Sequence, residues 1–136
     1  MARATIELGK SIWVDPHLLQ KMEKIHRYRR YEDGLSTHNP YNGDEDGLRW
    51  DHVIVLNFFE AYCAEISSGQ VYVQQVFEYA AGTIVGVRNS ILHRMVQRGV
   101  AKPTDYESLS AVADRIEKIA KESNRSVTWS IKNGDA

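Results

Sequence analysis

Cysteine is almost absent: Cys63 is the only one among 136 residues. One thiol can form neither an intramolecular disulfide nor a thiolate metal cluster, so disulfide scaffolds and cysteine zinc sites are excluded. A reducing, cytoplasmic setting is the expectation. Charge of one sign is also missing. Seventeen basic and 18 acidic side chains give a formal net charge of −1. That balance argues against a dedicated nucleic-acid surface or a polybasic membrane patch. No stretch approaches about 18 uninterrupted apolar residues, so no membrane-spanning helix is expected. The opening residues Met1–Glu7 lack the apolar core of a signal peptide. No phosphate-binding glycine loop, dinucleotide fingerprint, zinc spacing, nucleophile elbow or kinase signature occurs. No cofactor is therefore implied.

The remaining composition is that of a globular domain, with 43% hydrophobic and 26% charged residues. The length fits one domain. Its core is expected over 15–122, between irregular arms at 1–14 and 123–136. The most apolar stretch is Val53–Cys63, which reads as the central helix of an all-α bundle of about four main helices. Asp15-Pro16 opens the first helix, about 16–32, with Leu18, Leu19, Met22 and Ile25 at helical spacing. Residues 33–47 form a loop rich in turn signals, including Asn42-Gly43 and Asp46-Gly47, and its length suggests function or mobility.

The second helix is expected over about 48–67. Its seam is Leu56, Phe59, Cys63 and Ile66, widened by Val55, Phe58 and Tyr62, with Asn57, Glu60 and Ala64 on a more polar face. The third is expected over about 70–98, antiparallel to the second after the short Ser67-Ser68-Gly69 break. Gly82, Gly86 and Ser90 recur along it every four residues, which suits either close helix packing or a kink. Thr104-x-x-Glu107 has the form of a capping box and would open the fourth helix, about 104–122. Its Asp114 and Glu117 fit a solvated face.

Leu56-Asn57-Phe58-Phe59-Glu60 in mid-helix is followed by the Ile66-Ser67-Ser68-Gly69-Gln70-Val71 stop and restart. Downstream lies a helix with Tyr106-Glu107-x-Leu109, and upstream lies Arg27-Tyr28-Arg29-Arg30. In these features the chain resembles a bacterial helical domain family of unknown function built on an "LNFFE" helix, over roughly residues 20–120. The resemblance implies a helical fold and supplies no catalytic residues. Members of that family often carry a membrane-spanning segment ahead of the domain. This chain has no such stretch.

Several constellations fall short of a site. Glu23-x-x-His26 has di-iron spacing, but no second Glu-x-x-His exists. Counting twelve positions from Asn42, a calcium loop would end in Glu, and this chain has Val53 there. Cys63 on an apolar seam reads as a buried, inert thiol. The basic run Lys21–Arg30 and the group Arg88, Arg94, Arg98 and Lys102 are explained by helix C-termini, where cations are favoured. Nucleic-acid binding through the basic helix 21–30 is a further alternative, and nucleic acid is not the expected partner.

Glu60 is the unusual residue. A carboxylate in an apolar helix needs a partner, and Arg88 is the expected one, in a structural ion pair. The functional alternative is a small-ligand or enzyme pocket formed by Glu60, Asn57, Tyr62, Arg88 and His93, with Phe59. The reading as a whole is a non-enzymatic interaction or regulatory module that self-associates, a dimer first, with a protein partner as a further possibility. Trp13, Gly82, Gly86 and Trp129 are its candidate interface.

Overall fold

The structure, a computed structural model, describes residues 16–69 and 80–123. Every regular element among them is helical. They are α1 (Pro16–Glu32), α2 (Glu45–Ser67), α3 (Ala81–Gly86), a π-helix (Val87–Leu92), α4 (His93–Gln97) and α5 (Glu107–Glu122). This is the all-α bundle expected. Trp13, Trp129 and the stretch joining α2 to α3 lie outside the described residues. No described helix is long and apolar enough to cross a membrane.

Helix α2 is central because its side chains are apolar on a wide arc. His52, Val55, Leu56, Phe59, Tyr62, Cys63 and Ile66 are buried, the three-and-four spacing of one helix face. That face meets α1, the π-helix and α5. α1 contributes Leu18, Met22 and Ile25, and α5 contributes Leu109, Val112, Ala113, Ile116 and Ala120. These helices gain most of their stability from this shared burial, since short helices are marginal alone.

Helix α2 starts at Glu45, three residues before the expected 48. Asp44 is its N-cap, and the Asp44 carboxylate accepts a hydrogen bond from the Gly47 N–H at 3.0 Å. Asp46-Gly47 is therefore helix rather than turn. A Cβ at position 47 would collide with the capping carboxylate, so glycine here makes room for the cap. The true turn is Asn42-Gly43, with φ of +46° and +87°, values that Asn and Gly tolerate best.

The third rod is not one regular α-helix. The backbone passes from α3 through the π-helix into α4 within right-handed helical angles. The wider turn starts directly after Gly86, so the helix is interrupted there, and close packing accompanies the interruption. Gly86 is buried and Gly82 partly buried, and α3 packs on α5. Gly86 thus serves packing within the fold and is not available to a second subunit, which corrects its place in the candidate interface.

The Thr104 capping box does not form. Lys102–Asp105 is instead a tight turn, with the Asp105 N–H donating to the Lys102 carbonyl at 3.1 Å and the Lys102 N–H donating to the Asp105 carboxylate at 2.8 Å. Pro103 sits at the second position of that turn, where its fixed φ is favoured. This delays α5 to Glu107 and leaves Tyr106 as an N-cap without a side-chain hydrogen bond.

Candidate functional site

The missing cap of α5 is supplied from α2. The Leu109 N–H donates to Glu60 Oε1 at 2.8 Å and the Ser108 N–H to Oε2 at 3.2 Å. These are the second and third N–H groups of α5, the donors that an N-cap side chain normally satisfies. A carboxylate there also sits at the favourable end of the helix dipole. Glu60 therefore completes a helix terminus and does not pair with Arg88, as the sequence had suggested.

Arg88, on the π-helix, reaches α5 instead. It donates from Nη1 to Asp114 at 2.5 Å and from Nη2 to Glu117. The two carboxylates assigned to a solvated face thus also clamp the π-helix. The remaining proposed ligand residues have separate surroundings. Asn57 and His93 are exposed, whereas Tyr62 is 2% exposed and its hydroxyl has no hydrogen-bond partner among the described residues. Cys63 is fully buried, and burial, then the nearby Glu60 charge, pushes its thiol up to about 12. It stays protonated and inert near neutral pH.

Three members of the second basic group, Arg88, Arg94 and Arg98, are matched by acids. Arg94 donates to Glu32 at 2.9 Å and Asp33 at 2.8 Å, and Arg98 pairs with the other Glu32 oxygen. These bonds fasten the end of α1 to α4. They also hold the Asp33 carboxyl below its ordinary value, the Arg94 hydrogen bond being the main cause. In the first group, Arg29 pairs with Asp33, and Lys24 lies 4.4 Å from the centroid of the Tyr41 ring. Arg29, Arg94 and Arg98 are thus engaged within the fold. No group of three or more His, Cys, Asp or Glu among the described residues is placed to hold a metal ion.

Two features escape the sequence reading. The first is a cleft at the beginning of α2. A polar chamber of about 270 Å³ is lined by Tyr28, Asn39, Tyr41, Asp44 and Arg98, among others. It adjoins an apolar chamber of about 110 Å³ through the shared Glu45, Leu48 and Arg98. Tyr41 anchors the loop that forms its rim: it is buried, and its hydroxyl donates to Asp51 at 2.8 Å. Burial first, then this bond, raises its pKa. His52 lines the apolar chamber.

The His52 Nδ1 lies 2.7 Å from the Leu48 carbonyl. A carbonyl only accepts, so Nδ1 carries the proton and Nε2 holds a lone pair in the neutral ring. Burial lowers the His52 pKa from 6.5, outweighing the Leu48 and Asp51 contributions that raise it. The unfolded chain therefore takes up a proton first as pH falls. Stability is expected to be unaffected by His52 above pH 6.5 and to decline below it until the depressed folded value is passed. Urea melts from pH 7.5 to 5 measure this, and the part due to His52 should vanish in His52→Phe.

The second feature is the outward face of α2. Trp50 is 60% and Ile54 42% exposed, and Asn57, Ala61 and Ala64 continue the same three-and-four spacing. The stripe carries no charge. Ile54 lies within the apolar run Val53–Cys63, and Trp50 lies three residues before it.

Comparison with protein-family models, curated proteins and solved structures gives no match to this chain, so the likeness to the LNFFE-helix family rests on the motif residues alone.

Proposed function

We propose that this chain is a non-enzymatic interaction module that self-associates, as a dimer, through the outward face of α2. One observation carries the reading: Trp50, Ile54, Asn57, Ala61 and Ala64 form an exposed, uncharged stripe along the same helix that builds the core. A surface helix face ordinarily carries charge, and this one exposes a tryptophan at its head and small residues along its length. Alanines let a second helix backbone approach closely, and an indole supplies the large buried anchor common at interfaces. A twofold axis across α2 would set the stripe of one copy on that of the next. A specific interface needs about 800 Å² from each partner, more than one stripe provides. In this reading Trp13 and Trp129 add to it.

The ligand-pocket reading loses its motive at Glu60, whose two oxygens already serve α5. Light-scattering mass tests the proposal. The wild type is expected at twice the monomer mass, and the double variant Trp50→Asp, Ile54→Lys at the monomer mass with an unchanged circular dichroism spectrum. A monomeric wild type, or a double variant that remains dimeric, overturns it.

A further inference from the structure

We propose that the apolar chamber between the start of α2 and the end of α4 binds a small uncharged aromatic molecule bearing one N–H or O–H donor, which His52 Nε2 accepts. This site uses residues other than the self-association stripe and does not rest on that reading.

Size comes first. The chamber holds about 110 Å³ and shares Glu45, Leu48 and Arg98 with a neighbouring one of about 270 Å³. An apolar cavity of roughly 150 Å³ accommodates benzene, so this smaller chamber takes the edge of a ring, and the rest of a one- or two-ring occupant lies out toward Arg98 and Val100. The walls are Leu48, Met95 and Val100. Val100 is 56% exposed, an apolar side chain left at the mouth of the chamber. A thioether such as Met95 favours contact with an aromatic ring, and a guanidinium such as Arg98 stacks on one.

Charge selects next. The rim holds Arg49 and Arg98, but Arg49 is paired with Asp46 and Arg98 with Glu32. Glu45 lies in the first turn of α2, where the helix dipole matches it. Both rim guanidiniums are paired, which disfavours an anion, and the Leu48, Met95 and Val100 walls favour an uncharged occupant over a cation. Among the uncharged lining residues, His52 is the polar one. The ring is 9% exposed, its Nδ1 edge is turned onto its own helix, and no described residue donates to Nε2. Nε2 can only accept while the ring is neutral, and the depressed pKa keeps it so at neutral pH. An occupant with a donor at its ring edge satisfies that lone pair, and one without it leaves the lone pair unpaired inside an apolar wall.

Indole and 1-methylindole, which differ in the N–H, provide the test. Both are titrated into the Trp50→Asp, Ile54→Lys protein, so that failure here is separate from failure of the self-association reading. The ¹⁵N resonance of His52 Nε2 is followed by NMR. Indole is expected to bind in the millimolar range, as suits a ligand of so few atoms, and to shift that resonance. 1-Methylindole should bind about fivefold to tenfold more weakly. His52→Phe should abolish the difference between the two, and Val100→Glu, at an exposed wall position, should abolish binding of both. Equal affinities in the His52 protein, or indole binding that leaves the His52 resonance unmoved, overturn the proposal. So does the absence of indole binding up to its solubility limit.

Discussion

Replacing Glu60 by alanine is expected to cost about 2 kcal/mol of folding stability, the range for hydrogen bonds to a charged acceptor. Two N–H groups at the head of α5 lose their partners, and no local side chain can replace it. Tyr106 makes no capping bond, and Thr104 is held in the turn closed by Lys102 and Asp105. Glu60→Gln retains one acceptor oxygen but no charge, and should cost about half as much. Urea denaturation measures both. A double-mutant cycle with Tyr106→Asp separates capping from other roles. Aspartate at 106 can cap α5 from within its own chain segment, so Glu60→Ala should cost clearly less in that background. An equal cost in both backgrounds would mean that Glu60 acts through something other than the cap.

Tyr62→Phe is expected to act in the opposite direction, raising stability by about 1 kcal/mol. Most tyrosine-to-phenylalanine changes in a core lose a hydrogen bond. Here there is none to lose among the described residues: the hydroxyl is enclosed and none of them is its partner. Burial accordingly pushes the Tyr62 pKa up to about 12. A buried hydroxyl without a partner typically costs about 1–3 kcal/mol relative to leaving it in water, and removing one oxygen creates only a small void. The ring itself stays packed beside Phe58, with centroids 6.4 Å apart. For a chain of this length, 1 kcal/mol corresponds to roughly 3–4 °C in Tm. Differential scanning calorimetry of the two proteins decides it. A loss of stability would show that the hydroxyl has a partner in solution, an enclosed water or a ligand.

Much of the fold can be read from periodicity. The apolar spacing of α1, α2 and α5 is regular, and their buried residues are those that the three-and-four pattern selects. α1 was bounded correctly because Pro16 can open a helix and Asp33-Gly34 can close one. The errors fall where two local signals compete. Asp46-Gly47 has the form of a turn, yet Asp44 caps a helix through the Gly47 N–H. Thr104-x-x-Glu107 has the form of a capping box, yet Pro103 and Asp105 claim the same residues for a turn.

The candidate site was less legible, for a physical reason. Glu60 stands out in sequence because a carboxylate interrupts an apolar helix, but its partners are backbone N–H groups 48 and 49 positions away. A backbone donor has no residue type to recognise, whereas Arg88 does, and so Arg88 attracted the assignment. The π-helix likewise lacks a sequence signature beyond the glycines before it. His52 and Trp50 lie two positions apart on one helix and so point to different sides of it. Only the positions of Met95 and Val100 show that one lines a cleft, and only its 60% exposure shows that the other faces outward.

The central claim is that the polar interruption of the core helix is a cap for α5. Amide hydrogen exchange at Ser108 and Leu109 tests it most directly. Both amides are expected to be protected in the wild type, although they lie in the first turn of a helix, where N–H groups ordinarily have no intrahelical partner. Protection is further expected to fall selectively at these two positions in Glu60→Ala, beyond the uniform fall that a less stable protein shows. Rapid exchange at Ser108 and Leu109 in the wild type, or equal protection in the two proteins after correction for global stability, would contradict it.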